Sequence, residues 1–226
     1  MTSSVWAGAT PEDGSPSQLD RGAATTRSLL RCGVVAGPFY LAVGLAQAFL
    51  REGFDLAGHP LSLLANGPGG WIQTANFLLT GLMVLAAAVG FRRALGRGSL
   101  GLTILLGGYG LAMVAAAVFP ADPVDGFPPG TPEGFPTTIS TTGLAHFAAG
   151  ALAFALLGLG GLVAAWTLRR RGRSALALFS LLSGLAVLFG FFGGMMLPVG
   201  ILGIWGAVVV GWAWLAVLSL RLSRPV

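Results

Sequence analysis

The side chains best suited to chemistry in this chain are its two histidines, which both lie near acidic residues in the sequence. His59 follows Asp55 by four residues, and Asp122 precedes His146 by one loop. Histidine and carboxylate groups can hold a zinc ion with one position open for water. One interpretation is therefore a divalent metal at His59, Asp122 and His146. A second is that a histidine acts as a general base for Ser62 or for a water molecule.

A third interpretation is that an acidic side chain protonates an isoprenoid inside an apolar cavity. The 14 Phe and 6 Trp residues could line such a cavity, and their ring faces would stabilise cationic character. All basic residues are arginine, which excludes a Schiff-base cofactor because no lysine is present. The candidate catalytic residues are Asp55, His59, Asp122 and His146, and the candidate ligand-binding residues are Ser62, Trp71, Gln73 and Asn76.

Each candidate also has a purely structural interpretation. His146 could be a histidine that is hydrogen-bonded between two helices, and His59 could cap a helix or lie in a loop. Asp122 could be a turn or cap residue. Gln73 and Asn76 could bond to a neighbouring helix, as polar side chains in membrane helices often do. The sequence leaves these alternatives open.

The composition points to a membrane as the environment of these residues. Charged residues make up 9% of the chain, against roughly 25% in ordinary soluble domains. Hydrophobic residues make up 54% of the chain, and the mean hydropathy is +0.80. Too few charges remain to solvate a globular surface, which excludes a soluble enzyme and a nucleic-acid-binding domain.

Six apolar segments are long enough to cross a bilayer core of about 30 Å as helices. Backbone groups in lipid must bond within their own segment, which favours helices. The sequence therefore predicts an all-α integral membrane protein, a six-transmembrane-helix bundle over residues 29–226, after a disordered leader over residues 1–28. The predicted spans are Cys32–Leu50, Ile72–Phe91, Leu100–Phe119, Gly143–Leu168, Ser174–Phe192 and Val199–Leu220.

The arginines predict how the bundle is oriented. Twelve of them flank the spans on one side, and only Arg51 falls on the other side. Cytoplasmic loops carry the excess of basic residues, so both termini are predicted to be cytoplasmic, in the inner (plasma) membrane. The net charge of +5 then lies beside anionic lipid, and no nucleic-acid partner is implied.

Two loops on the predicted outer side carry most of the candidates. Pro60 suits the first position of a helix, which predicts a short interfacial helix over Pro60–Ala65. Trp71 is predicted at the membrane–water boundary. The second loop, Pro120–Ser140, contains too many prolines for a regular helix, and Ser140 can cap the helix that follows.

The glycine spacings Gly33/Gly37 and Gly190/Gly194 match a motif of close helix packing. Packing within the chain explains them, and a homo-oligomer is the alternative.

Two groups of residues resemble a known family. The first group is Arg51-x-Gly-Phe-Asp55, His59-Pro-x-Ser62 and Gly70-Trp-x-Gln73-x-x-Asn76-Phe77, and the second is Phe119-Pro-x-Asp122-Pro123 with Ser140-x-x-Gly143-x-x-His146. Over about residues 30–220 the chain resembles the bacterial membrane family called domain of unknown function 998, which is common in actinobacteria. The resemblance implies a polytopic inner-membrane protein and transfers no reaction.

The predicted function is a multi-pass membrane protein with a pocket that faces the outer leaflet and takes a lipid or another hydrophobic ligand. One alternative is a membrane-embedded enzyme, of hydrolase or cyclase type, acting on a lipid or isoprenoid. Another is a passive transporter or a regulatory or structural membrane subunit.

Overall fold

The described part of the chain folds into long helices with short connections. A computed structural model describes residues 18–196 and 200–224. Within these residues there is no strand, and six helices are long and apolar enough to cross a membrane. The protein is thus an all-helical, multi-pass membrane protein. The helices are α1 (Gln18–Leu50), α2 (Gly70–Leu95), α3 (Leu100–Val118), α4 (Thr141–Arg169), α5 (Ser174–Leu188) and α6 (Gly200–Ser223).

The first helix begins earlier than the sequence pattern predicts. Residues 18–28 belong to α1, whereas the predicted leader covered residues 1–28; residues 1–17 lie outside the described residues. A tertiary contact supports this early start: the Arg93 guanidinium of α2 donates to Thr26 Oγ1 at 3.0 Å and to the Gly22 carbonyl at 3.4 Å. Composition alone does not reveal such a contact.

The helices form a closed ring with two distinct ends. Each helix packs against its neighbours in sequence, and α6 returns to pack against α1. We call the end that holds residues 51–69 and 119–140 the loop end. The opposite end, which holds the α2–α3 and α4–α5 connections and the last turn of α6, is the arginine end. The predicted short helix at the loop end is confirmed as a 3₁₀ helix over Leu61–Ala65.

The predicted glycine spacings serve packing inside the ring. A Cβ atom on Gly37 of α1 would lie 2.7 Å from Cβ of Trp212 on α6. A Cβ atom on Gly190 would lie 2.8 Å from the Gly203 carbonyl of α6. Glycine lets these helices approach more closely than any other residue would. Both motifs therefore have a partner within the chain, and the homo-oligomer stays a prediction.

The end of α5 departs from regular α geometry. Phe189–Gly193 forms a π-helical segment that extends α5 towards the loop end. Such segments are rare, and they occur frequently at functional sites because they change the direction of one or two side chains. Here the buried side chain is Phe191, which lines the cavity described below.

Candidate functional site

A cavity of about 210 Å³ lies inside the ring, nearer the loop end. Side chains from five of the long helices, from the 3₁₀ helix and from the segment after α5 line it. Along α4 the lining runs from His146 to Leu157, which is about 16 Å at the rise of an α-helix. The wall is therefore a long, mostly apolar surface.

Aromatic rings form one wall of the cavity. The Trp212 ring of α6 packs between Tyr40 of α1 and Tyr109 of α3, with centroid distances of 5.5 and 5.6 Å. Phe77 of α2 packs on Tyr40 at 5.6 Å. All four residues line the cavity and are buried. A hydrophobic molecule placed here would contact ring faces from four different helices.

The cavity is not fully enclosed. Two of its lining residues, Phe147 of α4 and Met195 after α5, are 54% and 45% exposed. The opening therefore lies beside Phe147 and Met195. Phe147 belongs to the membrane-spanning helix α4, so this side of the ring is apolar and exposed.

His146 supplies the most polar group in the cavity wall. Its Nδ1 lies 2.7 Å from the Phe119 carbonyl oxygen at the end of α3. A carbonyl oxygen can only accept, so Nδ1 carries the proton and Nε2 carries a lone pair. Ser62 of the 3₁₀ helix lines the same cavity. The structure thus brings together two of the predicted site residues, His146 and Ser62.

The other predicted catalytic residues stabilise loop and helix ends away from the cavity lining. Asp122 accepts hydrogen bonds from the backbone N–H of Ser140, at 2.9 Å, and from the Ser140 hydroxyl. The Ser140 Oγ in turn accepts from the Gly143 N–H at 2.9 Å, which confirms the predicted cap of α4. A side chain at residue 143 would overlap the Asp122 carboxylate. The spacing Ser140-x-x-Gly143 is therefore the geometry of a helix cap held by Asp122.

His59 connects the two loops of the loop end. Its Nδ1 accepts from the Asp55 N–H at 3.0 Å, so Nε2 is protonated and donates to the Asp125 carbonyl at 2.9 Å. The Asp55 carboxylate accepts from the Ala57 N–H at 2.9 Å. Both ring nitrogens of His59 are thus occupied by backbone groups. In the described part of the chain, no group of three or more His, Cys, Asp or Glu residues could hold a metal ion.

Arg51 holds the same loops from the other side, a role that the sequence did not predict. Its guanidinium donates to the Leu64 and Asn66 carbonyls, both at 2.6 Å, and lies 5.0 Å from the centroid of the buried Phe127 ring. Desolvation by burial among the surrounding loops lowers the pKa of Arg51. Arginine nevertheless stays charged at neutral pH. The lone basic residue of the loop end is therefore a structural cation.

The remaining predicted ligand-binding residues do not line the cavity. Gln73 and Asn76 of α2 are buried against α1, where Gln73 Oε1 accepts from Gln47 Nε2 at 2.9 Å and Asn76 Nδ2 donates to the Tyr40 carbonyl at 3.0 Å. They fasten α2 to α1, as the structural interpretation proposed. Trp71 is 73% exposed at the start of α2, where its indole is directed away from the protein.

Sequence reasoning missed the tyrosines of the wall. The chain has only two tyrosines, and both are buried in membrane-spanning helices and line the cavity. A hydroxyl-bearing ring inside an apolar span is a signal that could have found them. The aliphatic lining of α3, α4 and α6 gave no such signal, because lipid-facing and cavity-facing residues have the same apolar character.

Comparison with known proteins identifies the family to which this chain belongs. No curated protein matches this chain, and no solved structure matches it. One family model matches residues 34–221, a range that contains both groups of residues that carry the resemblance, the second half of α1, all of α2 to α5 and most of α6. Since that range covers most of the chain, the protein belongs to the family described as "Protein of unknown function (DUF998)".

Proposed function

We propose that this protein binds a lipid or another hydrophobic molecule in the cavity inside the ring. The observation that carries the proposal is the cavity itself, with an aromatic wall, exposed lining at Phe147 of the membrane-spanning α4, and polar groups at His146 and Ser62. Ligand sites of this kind are mostly apolar, with a few polar groups that fix orientation.

The volume restricts the ligand. Pockets for drug-sized molecules measure about 300–1,000 Å³, and this cavity is smaller, at about 210 Å³. It fits part of one hydrocarbon chain or one small ring system. The opening beside Phe147 lets the rest of a larger molecule remain in the bilayer.

The polar end favours a ligand with a hydrogen-bond donor. With the proton on Nδ1, His146 Nε2 can accept from a hydroxyl group, and the Ser62 hydroxyl can donate or accept. An alcohol or another donor-bearing head at the loop end of an apolar chain can bond to either group.

A membrane-embedded enzyme that acts on such a molecule is the second candidate. One observation favours it: the Nε2 lone pair of His146 could serve as a general base. Among the described residues that line the cavity, however, none is an aspartate or a glutamate. The acid that would start an isoprenoid cyclisation has no counterpart in this lining, so binding is the better-supported function.

We further propose that the protein resides in the plasma (inner) membrane with both termini cytoplasmic and the loop end outside. The supporting observation is that Arg51 is the one arginine at the loop end, and the other twelve follow the positive-inside rule. Reporter fusions at Gly98 and Gly130 test this orientation. They should report the cytoplasm and the exterior respectively, and reports from one side would contradict the proposal.

Binding can be tested with a probe of defined chemistry. The full chain in neutral detergent is labelled with a photoreactive hexadecanol, and the labelled peptides are identified by mass spectrometry. We expect saturable labelling of the α4 and α6 segments that line the cavity, with loss of signal when plain hexadecanol is added.

Two glycines provide matched variants for this experiment. Gly150 lines the cavity, and a Cβ atom there would meet nothing within 4 Å, so Gly150→Phe fills empty space without a backbone clash. Gly206 on α6 has equally open surroundings and does not line the cavity. Gly150→Phe should abolish saturable labelling, and Gly206→Phe should leave it unchanged. Equal labelling of both variants would overturn the proposed site.

A third variant tests the polar end. His146→Asn keeps a donor close to the position of Nδ1 and so can still bond to the Phe119 carbonyl, but it lacks Nε2. It should reduce the preference for hexadecanol over hexadecane while hexadecane binding persists. An unchanged preference would remove His146 from ligand recognition.

A further inference from the structure

A second concave site lies at the arginine end, opposite the cavity. Its volume is about 280 Å³, and four of its lining residues are arginines. Arg171 and Arg173 come from the α4–α5 connection, and Arg221 and Arg224 come from the last turn of α6 and the residue that follows it. The fold therefore brings two separate basic segments to one place.

The charge in this site is not balanced by its own lining. Among the described residues that line it, none is an aspartate or a glutamate, and Asp20 of α1 does not belong to the lining. Four guanidinium groups in one concavity repel each other, so the arrangement favours a bound anion. Guanidinium groups suit phosphate in particular, because their paired N–H donors match two phosphate oxygens.

One arginine is already positioned by the protein. Arg171 Nη2 donates to the Leu95 carbonyl at the end of α2. A guanidinium has five N–H donors, so this bond fixes the side chain across the gap and leaves donors for an anion. The site is thus partly preorganised, which lowers the entropic cost of binding.

The surroundings place the site at the level of lipid headgroups. Leu95 and Leu222 contribute apolar lining beside the arginines. On the same end of α4, the Arg170 guanidinium stacks 3.9 Å from the centroid of the Trp166 ring, which is 56% exposed. Tryptophan side chains of this kind mark the membrane–water boundary.

We propose that this site binds the phosphate group of an anionic phospholipid, with the acyl chains beside the partly exposed Leu222. Basic pockets between membrane helices commonly receive such headgroups. The alternative source of the same chemistry is a soluble phosphate, which would contact the arginines and not Leu222. The inference rests on residues outside the cavity and is independent of the proposed function.

Native mass spectrometry of the full chain in neutral detergent tests the site. The protein is titrated with phosphatidylglycerol, and in parallel with phosphatidylcholine and with inorganic phosphate. We expect one phosphatidylglycerol to bind well before any others, with phosphatidylcholine and inorganic phosphate binding far more weakly. Inorganic phosphate that binds as tightly and displaces the lipid would overturn the lipid assignment.

Two double variants, each lacking two positive charges, distinguish a specific lipid site from non-specific electrostatic attraction. Arg173→Gln with Arg221→Gln removes two lining arginines. Arg31→Gln with Arg97→Gln removes two exposed arginines that do not line the site. The first pair should weaken binding of the first phosphatidylglycerol about 30-fold, and the second pair should leave it nearly unchanged. Equal losses in both variants would show that no specific site exists.

Discussion

The two ends of the bundle use charged side chains in opposite ways. At the loop end, Arg51, His59 and Asp122 are all bonded to backbone groups of the protein. At the arginine end, several guanidinium groups converge on one concavity whose lining has no carboxylate among the described residues. The charged and titratable residues of the loop end thus hold loops in place. The groups available to ligands lie in the apolar cavity and among the arginines. Substitutions at the loop end should therefore change stability first, and those at the arginine end should change binding.

The largest loss of stability is expected for Arg51→Ala. The substitution leaves the Leu64 and Asn66 carbonyls without their charged donor and removes the cation from the Phe127 ring. Hydrogen bonds to charged groups contribute about 1.5–3 kcal/mol each, so a loss of about 3 kcal/mol is expected. The apparent unfolding midpoint in detergent should fall by about 10 °C.

Arg51→Lys is the matched control, because it keeps the charge and loses the two-pronged geometry. Its midpoint should lie between those of the wild type and the alanine variant. If Arg51→Ala unfolds at the wild-type temperature, this cation does not stabilise the loop end, and the contrast with the arginine end is wrong.

His59→Ala should have the next largest effect, about 2 kcal/mol. It removes one hydrogen bond within the first loop and one between the two loops, together with the ring contacts with Phe54 and Phe127, at 5.3 and 5.6 Å. The same thermal measurement should give a fall of about 6 °C.

Two conservative variants separate the contributions of the two hydrogen bonds made by His59. His59→Asn offers an acceptor near the position of Nδ1 for the Asp55 N–H, and His59→Gln offers a donor near Nε2 for the Asp125 carbonyl. Each should recover part of the lost stability. A purified protein that retains zinc and loses it with His59→Ala would instead support the metal interpretation.

The sequence predicted the fold well because its strongest signals are length and polarity. Segments of about 20 apolar residues bounded by arginines admit few structures besides a helical bundle. Local signals also gave correct details: Pro60 marked the start of the 3₁₀ helix, and Ser140 marked the cap of α4. The helix α1 begins at Gln18, before its apolar pattern starts, and the contact of Arg93 with its first turns has no local sequence signal.

The candidate site was only partly predictable. His146 and Ser62 do line the cavity, whereas Asp55, His59 and Asp122 are bonded into the loops. Polar residues in loops suggest chemistry and capping equally, and only their hydrogen-bond partners separate the two. Tertiary packing decides whether Phe154 or Phe191 faces a cavity or lipid, and no local pattern records it.

A smaller effect, about 1 kcal/mol, is expected for Asp122→Ala. The variant leaves Ser140 without the carboxylate that holds it, although Ser140 can still cap the helix, and losses at such caps average about this value. The midpoint should fall by about 3 °C.

Gly143 turns this prediction into a double-mutant cycle. A methyl group at residue 143 would overlap the Asp122 carboxylate, so Gly143→Ala alone should be destabilising. In the Asp122→Ala background the same change should cost less, because the space is vacant. Additive losses of stability in the double variant would show that the two residues are not energetically coupled.

The smallest effect is expected at the other end, for Arg224→Gln. Arg224 is exposed, lies just after α6 and lines the arginine site. Surface substitutions without a buried partner usually change stability by less than about 0.5 kcal/mol, so the midpoint in neutral detergent should move by less than about 2 °C. When phosphatidylglycerol is added, the wild type should gain more stability than the variant, because a ligand stabilises the folded state in proportion to its affinity. A large loss of stability without lipid would mean that the arginines of this end also stabilise the fold, and the contrast between the two ends would disappear.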